Sequence, residues 1–279
     1  MPGPGESEMD KTVPSAADAV EDIGDSVMIA TGGFGICGIP GALLAALASK
    51  GSHDLTLISN NCGIAGVGNS LLLQNRQLRR LIASYVGENK ELERQYLSGE
   101  VEIELNPQGT LAERLRAGGA GIAAFYTRSG VGTQIATGGL PIRYSADGAV
   151  EVVSDPKPVA DFMWEGTQQP FVMESALKPD FALVHAWKGD RFGNLVFRKA
   201  ARNFNPLCAK AAAVTAAQVE HLVEPGEIDA DAIHLPGIYV DRIFALPHGA
   251  GSAKRIERRM VRPSPEPMPD NENSQRGRY

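Results

Sequence analysis

Residues 31–40 read TGGFGICGIP, and the fold turns on what that stretch is for. It follows a short apolar run, SVMIAT at 26–31, which has the pattern of a buried strand. It leads into GALLAALASK at 41–50, where Leu43, Leu44 and Leu47 mark one helical face and Gly51 is a terminator. Pro40 suits the first turn of that helix, because it lacks only an N–H that would be unpaired there. Gly33, Gly35 and Gly38 also stand in the spacing G-x-G-x-x-G, which raises a dinucleotide-binding reading. That reading asks for an acidic side chain about 20 residues on, at the end of the next strand. The next strand, LTLIS at 55–59, ends instead in Asn60-Asn61, and Asp54 precedes it. No Gly-Lys-Ser/Thr is present, which excludes a P-loop. The helix after Gly38 still offers an N-terminus friendly to anions. On these residues alone the loop is either a ligand cradle or a tight strand-to-helix turn.

Outward from the loop, strand and helix signals alternate. Ser15 with Asp18 caps SAADAVEDI (15–23), which stops at Gly24. LRRLIASYV (78–86) reads as a third strand, ENKELERQYLSGE (88–100) as a charged helix, and VEIEL (101–105) as a half-buried strand. Thr110 and Glu113 make a capping box for LAERLRAG (111–118), and GIAAFYT (121–127) is a further strand. This succession predicts an α/β fold: a mostly parallel, doubly wound sheet with helices on both faces. In the C-terminal half, FALVHAW (181–187) and NLVFRK (194–199) flank KGDRFG and predict an antiparallel hairpin, with another strand within GIYVDRIFAL (237–246). These add antiparallel strands to the same fold. Residues 1–13 read as a flexible N-terminus, 14–248 as one domain, and 249–279 as a disordered tail, poor in large apolar side chains. Arg258 and Arg259 in that tail either dock a partner or stand solvated.

The formal net charge of −6 over 279 residues argues against a nucleic-acid surface. ALLAALA at 42–48 is about the longest apolar run, far short of the roughly 18 residues a membrane span needs, so no membrane is expected. The N-terminus is polar and acidic, without a signal-peptide pattern. Cys37, Cys62 and Cys208 lie far apart with no C-x-x-C pair, which fits a reducing, cytoplasmic setting. Neither they nor the five histidines make a metal-ligand spacing, so no metal is expected.

In an open α/β sheet, ligands bind beyond the carboxyl ends of the strands. Three unusual segments fall at such ends: GGFGICG after 26–31, NNCGIAGVG after 55–59 and NPQGT after 101–105. Each combines glycine, which lets a ligand approach the backbone, with amide side chains or bare N–H donors. A donor-rich, largely uncharged wall suits a developing oxyanion better than it suits proton transfer.

Several long motifs, in collinear order from about 15 to 247, now carry a resemblance: GGFGICGIP, SNN, SYVGENKELERQYLSGEVEIELNPQGTLAERLRAGGAGIAAFYT, FALVHAWKGD and GNLVFRKAARNFN. Together they resemble the A (alpha) subunits of family I CoA-transferases, in the succinyl-CoA:3-ketoacid branch. Departures are Ser26, where the family usually has glycine, Thr31 in place of an aliphatic residue, PGALL after the loop, and Cys62 where alanine is common. The resemblance implies transfer of CoA from succinyl-CoA to a 3-oxoacid such as acetoacetate, with the CoA thioester as substrate and no permanently bound cofactor. It implies a ping-pong route through a glutamyl-CoA thioester whose glutamate lies on a B subunit, in an A2B2 assembly. It points to Gln108 as a side-chain oxyanion donor. Gly32, Gly33, Phe34 and Gly35 would shape the wall facing the partner's glutamate, and Asn60 and Asn61 would line the acyl site. An Asx turn remains the other reading of the asparagine pair. Glu88, inside the A-type match, reads as a helix-start residue, not the nucleophile. Arg198, Lys199 and Arg202 meet CoA phosphates or a partner, or else form a solvated cluster. Glu102 and Glu104 read as solvated or structural. Alternatives are another acyl pair (acetate or 3-oxoadipate) or a non-catalytic α/β binding module; a nicotinamide-dependent dehydrogenase lacks its acidic residue after 59.

Overall fold

The structure, a computed structural model, describes residues 10–247 except Glu88. The expectations for residues 1–9, for Glu88 and for the tail from 248 lie outside the described residues. Four parallel strands come first, each followed by a helix: α1 (Ala16–Ala19) precedes β1 (Met28–Thr31), then α2 (Gly41–Lys50), β2 (Leu55–Ile58), α3 (Ser70–Gln74), β3 (Leu78–Ala83), α4 (Lys90–Leu97), β4 (Glu102–Leu105) and α5 (Gln108–Gly119). An excursion follows: β5 (Ala124–Thr127), α6 (Gln134–Thr137), β6 (Pro141–Tyr144), β7 (Val150–Val153), β8 (Val159–Trp164) and β9 (Thr167–Ser175). The chain then returns with β10 (Phe181–Asp190), β11 (Leu195–Val196), α7 (Asn205–Ala211), β12 (Val214–Val223) and β13 (Arg242–Ala245).

The main sheet has the order β13-β12-β10-β1-β2-β3-β4, all parallel, with β11 turned back antiparallel on β10. Strand residues alternate between two apolar layers, because in a strand successive side chains point to opposite faces. Ile29, Leu57 and Leu81 pack on Leu43, Leu44, Leu47, Leu72 and Leu92 from α2, α3 and α4. Their neighbours Ala30, Ile58 and Ile82 pack on Leu111, Leu115, Phe204 and Cys208 from α5 and α7. The expected doubly wound α/β sheet with helices on both faces is therefore present. Burial of each of these leucines contributes about 2 kcal/mol.

Several local readings change. The first helix is confined to Ala16–Ala19, although Ser15 accepts from Asp18 N as expected of its cap. The helix read as 111–118 starts at Gln108, so Thr110 and Glu113 lie inside it and form no capping box; Glu113 pairs with Arg116 instead. The strand around 121–127 does not join the parallel sheet. As β5 it pairs antiparallel with β9 in a three-stranded sheet, β5-β9-β8, beside a two-stranded β6-β7 ribbon. The hairpin of β10 and β11 is present, but β10 runs parallel to β1 and β12 at the centre of the sheet. Residues 11–13, read as part of a flexible lead-in, run beside β13, with Val13 N–H donating to Ile243 O at 2.8 Å.

Chain order reverses at β1, since β2 follows on one side and β10 lies on the other. This is the switch point at which open α/β sheets leave a crevice. Here Asn205, at the polar start of α7, occupies that crevice, and the open cleft lies between the β1 loop and the carboxyl ends of β2, β3 and β4.

Candidate functional site

Three loops at the carboxyl ends of β1, β2 and β4 converge, as their positions in the sequence led one to expect. The loop after β1 folds on itself as a tight turn, with Phe34 N–H donating to Cys37 O and Cys37 N–H donating to Phe34 O, both at 3.0 Å. The loop after β2 makes a similar turn, with Val67 N–H on Ile64 O at 3.0 Å. Together with Ser84, Tyr85 and Gly87 beyond β3, and Gln108 at the start of α5, they wall a cleft of about 560 Å³. Its described lining is Phe34, Gly35, Ile36, Asn60, Asn61, Gly63, Ile64, Ser84, Tyr85, Gly87 and Gln108, without a charged side chain.

Of the residues expected at the site, Phe34, Gly35, Asn60, Asn61 and Gln108 meet in this cleft. Gly32 and Gly33 lie behind it. Gly32 N–H donates to Leu183 O at 3.0 Å, and Gly33 N–H to Asn203 Oδ1 at 3.1 Å. Phe34 is 47% exposed, so it rims the cleft and does not fill the core. Asn60 and Asn61 are 3% and 9% exposed, set into the floor.

The floor is a chain of amides. Gln108 Nε2 donates to Asn60 Oδ1 at 2.7 Å, and Asn60 Nδ2 to Asn61 Oδ1 at 3.1 Å. Gly35 N–H donates to the same Asn61 Oδ1 at 3.0 Å. Ser84 Oγ lies 3.0 Å from Asn60 Oδ1, and Ser84 N–H donates to Asn60 O at 3.1 Å. Deeper in, Asn69 Nδ2 donates to Asn61 O (3.1 Å) and Ser59 Oγ (2.9 Å), while Thr31 Oγ1 donates to Asn69 Oδ1 at 3.0 Å. Nearly sealed polar groups that are this well satisfied act as rigid supports.

The loop carrying Gln108 is held from beneath. Arg114 Nη1 donates to Asn106 Oδ1 and to Glu104 Oε1, each at 2.6 Å. Burial would raise the Glu104 carboxyl, but the Arg114 and Arg80 guanidiniums outweigh it and hold the group at about 2. Glu104 is therefore structural, and Glu102 sits 3.2 Å from Arg143 in the same ionic layer.

Sequence reasoning missed Ser84, Tyr85 and Gly87, because LRRLIASYV was read as strand through Val86 whereas β3 ends at Ala83. It also missed the clamp on the glycine loop. Asn203 Nδ2 donates to Cys37 O at 3.1 Å, and Asn205 Nδ2 to Gly38 O at 2.9 Å. Both asparagines stand in RNFN, where an amide-rich turn before a helix is the signal. Gln218, another omission, caps α2 from β12 by accepting from Ala42 N (2.9 Å) and Leu43 N (3.2 Å).

Chemically the cleft offers neutral N–H donors. Burial pushes the Cys62 thiol up to about 12, so it is no thiolate nucleophile. Arg198, Lys199 and Arg202 are exposed and lie outside the described lining. Among the described residues, no group of His, Cys, Asp or Glu is placed to hold a metal ion, and no helix is long and apolar enough to cross a membrane.

Comparison with known proteins adds the following. The family model "Coenzyme A transferase" matches residues 13–246. A Mycobacterium tuberculosis (strain H37Rv) protein, named as the probable A-type subunit of a succinyl-CoA:3-ketoacid coenzyme A transferase, is 59% identical over 254 residues, covering 91% of this chain and 100% of its own length. The human mitochondrial succinyl-CoA:3-ketoacid coenzyme A transferase 2 is 52% identical over 86% of this chain, which spans only 45% of that protein. Among solved structures, an acyl-CoA transferase of E. coli O157:H7 in a thioester complex with CoA superposes with a TM-score of 0.70. At 20% identity over 88% of this chain and 48% of that one, it speaks for the fold.

Proposed function

The chain belongs to the coenzyme A transferase family as an A-type subunit, and on that premise we propose that its cleft is the oxyanion-stabilising half of an active site completed by a B subunit. The observation that carries this reading is the cleft's wall of neutral amide and glycine N–H groups, with no carboxylate among its described residues. On this reading the glutamate of the acyl-glutamyl intermediate comes from the partner. That the chain spans 45% of the human relative supports a second half of comparable size.

The reaction is transfer of CoA from succinyl-CoA to a 3-oxoacid such as acetoacetate. The partner's glutamate oxygen attacks the thioester carbonyl, the C–S bond breaks, and CoA leaves as thiolate, giving a mixed anhydride. The thiolate attacks the glutamyl carbonyl of that anhydride and expels succinate, leaving a glutamyl-CoA thioester. Acetoacetate attacks the glutamyl thioester carbonyl and the thiolate leaves again. It then attacks the acetoacetyl carbonyl of the new anhydride, forming acetoacetyl-CoA and freeing the glutamate. Every step passes through a tetrahedral oxyanion, and the exposed Gln108 amide is its donor from this chain. One such donor lowers the barrier by about 3–4 kcal/mol. Apolar Phe34, Ile36 and Ile64 at the rim exclude water, which protects the thioester and anhydride from hydrolysis. The A2B2 assembly acts in the cytoplasm, with CoA thioester as substrate and no resident cofactor.

The test is acetoacetyl-CoA formation from succinyl-CoA and acetoacetate, by this chain alone and assembled with its partner. Activity is expected in the pair only. In the pair, Gln108→Ala should lower kcat by about 10²–10³; a loss below about tenfold would remove Gln108 from the role.

A further inference from the structure

The amides on the cleft floor are not free to choose which end donates. Gly35 N–H, a backbone donor held by the turn, meets Asn61 Oδ1 at 3.0 Å, and Asn61 Nδ2 faces Gly35 O at 3.4 Å. Turning the Asn61 amide over would set its NH2 against a backbone N–H, donor against donor. Asn61 Oδ1 is therefore placed by the main chain. The same oxygen accepts from Asn60 Nδ2 at 3.1 Å. Asn60 Oδ1 must then face the other way, where Gln108 Nε2 lies at 2.7 Å and Ser84 Oγ at 3.0 Å. The Ser84 hydroxyl can rotate to donate or accept, so it braces Asn60 without choosing its orientation. The choice comes from Gly35 through Asn61.

The consequence falls on Gln108. Because Asn60 offers it oxygen, Gln108 turns its nitrogen inward and retains a second N–H. With the relay reversed, Gln108 would pair through its oxygen and lose that orientation. Asn61 is 9% exposed and Asn60 3%, while Gln108 is exposed. The first two are thus better placed to orient than to touch a substrate.

We propose that Asn61 is a positioning residue, which transmits the polarity of the Gly35 N–H through Asn60 to Gln108 and so fixes the direction in which the Gln108 N–H donors point. This rests on the reading of Gln108 as the oxyanion donor.

The experiment is a double-mutant cycle on the assembled enzyme, reading kcat and the KM for succinyl-CoA. Asn61→Ala should lower kcat about tenfold or more and move KM less than about threefold. In a Gln108→Ala background the same substitution should lower kcat less than about twofold, because the group it orients is gone. An equal fall in both backgrounds, or no fall in either, overturns the relay while leaving Gln108 in its role. A silent Gln108→Ala overturns the oxyanion reading and the relay with it. Should Asn61→Ala fail to assemble, Asn60→Ala cuts the relay one link further along and carries the same expectation.

Discussion

A Cβ on Gly32 would stand 1.8 Å from Asn205 Oδ1 and 2.4 Å from its Cγ. Asn205 is fully buried and cannot step aside, since Oδ1 accepts from His185 N at 2.9 Å and Nδ2 donates to Gly38 O at 2.9 Å and Ala201 O at 2.8 Å. Gly32 is thus required by packing between the β1 loop and α7, whatever the substrate. Gly32→Ala should destabilise by about 3 kcal/mol, from overpacking and the loss of buried hydrogen bonds. A drop in Tm of roughly 10 °C would register it in a chain of this size. A shift under about 2 °C would mean that Asn205 has another place to go. Gly35 differs: a Cβ there meets nothing within 4 Å, but its φ of +62° disfavours any side chain. Its demand is conformational, and it serves the N–H aimed at Asn61.

At the scale of elements, the site loops depend on ionic cross-bracing between β4, α5 and β9. Arg114 from α5 reaches Glu104 on β4, Asn106 just beyond it, and Ser175 O at the end of β9 (2.8 Å). Held at about 2 in the fold against an ordinary 4.5, Glu104 stabilises by on the order of 3 kcal/mol at neutral pH. A depressed carboxyl gives this contribution in full above its unfolded value, and loses it as pH falls from about 4.5 toward about 2. Urea unfolding should therefore show Glu104→Gln weaker than wild type at pH 7, with the gap closing between pH 5 and pH 2.5. A gap constant across that window would mean that the carboxylate's charge is not what holds the brace. The same scale explains what was legible in the sequence. The strands β1 and β2 were visible as apolar runs stopped by glycine or an amide, because both faces of a parallel sheet are covered, and β4 as a half-buried alternation. β7 and β8 are exposed along most of their length, so no buried face sets them apart. β12 buries Thr215 and Gln218 among alanines, a composition that does not announce a central strand. The site was legible where amide-bearing loops end visible strands. Ser84 and Tyr85 were hidden because the apolar pattern runs past the true end of β3, and RNFN because its partners lie some 170 residues away in sequence.

Over the whole molecule, the proposed function divides the chemistry between two chains. The described wall of the cleft supplies donors, glycine backbone and an apolar rim, with no carboxylate among its described residues. Cys62, next to Asn61 in sequence, is buried with its thiol pushed up to about 12. On the proposed reading, a thioester intermediate leaves its mark on the other chain. Incubating the assembled enzyme with succinyl-CoA, without an acceptor acid, should stop the cycle at the glutamyl-CoA thioester. Intact-mass measurement of both chains should find the mass of CoA, less one water, only on the partner. Acetoacetate should remove it, because its carboxylate attacks the glutamyl carbonyl and CoA departs as acetoacetyl-CoA. Gln108→Ala in this chain should slow the appearance of that mass on the other one, since its amide stabilises the oxyanion that precedes it. CoA found on this chain would locate the nucleophile here and make Glu88, which follows Gly87 in the sequence, the first residue to replace. The labelled chain therefore decides whether the active site is shared, independently of which acyl pair the enzyme prefers.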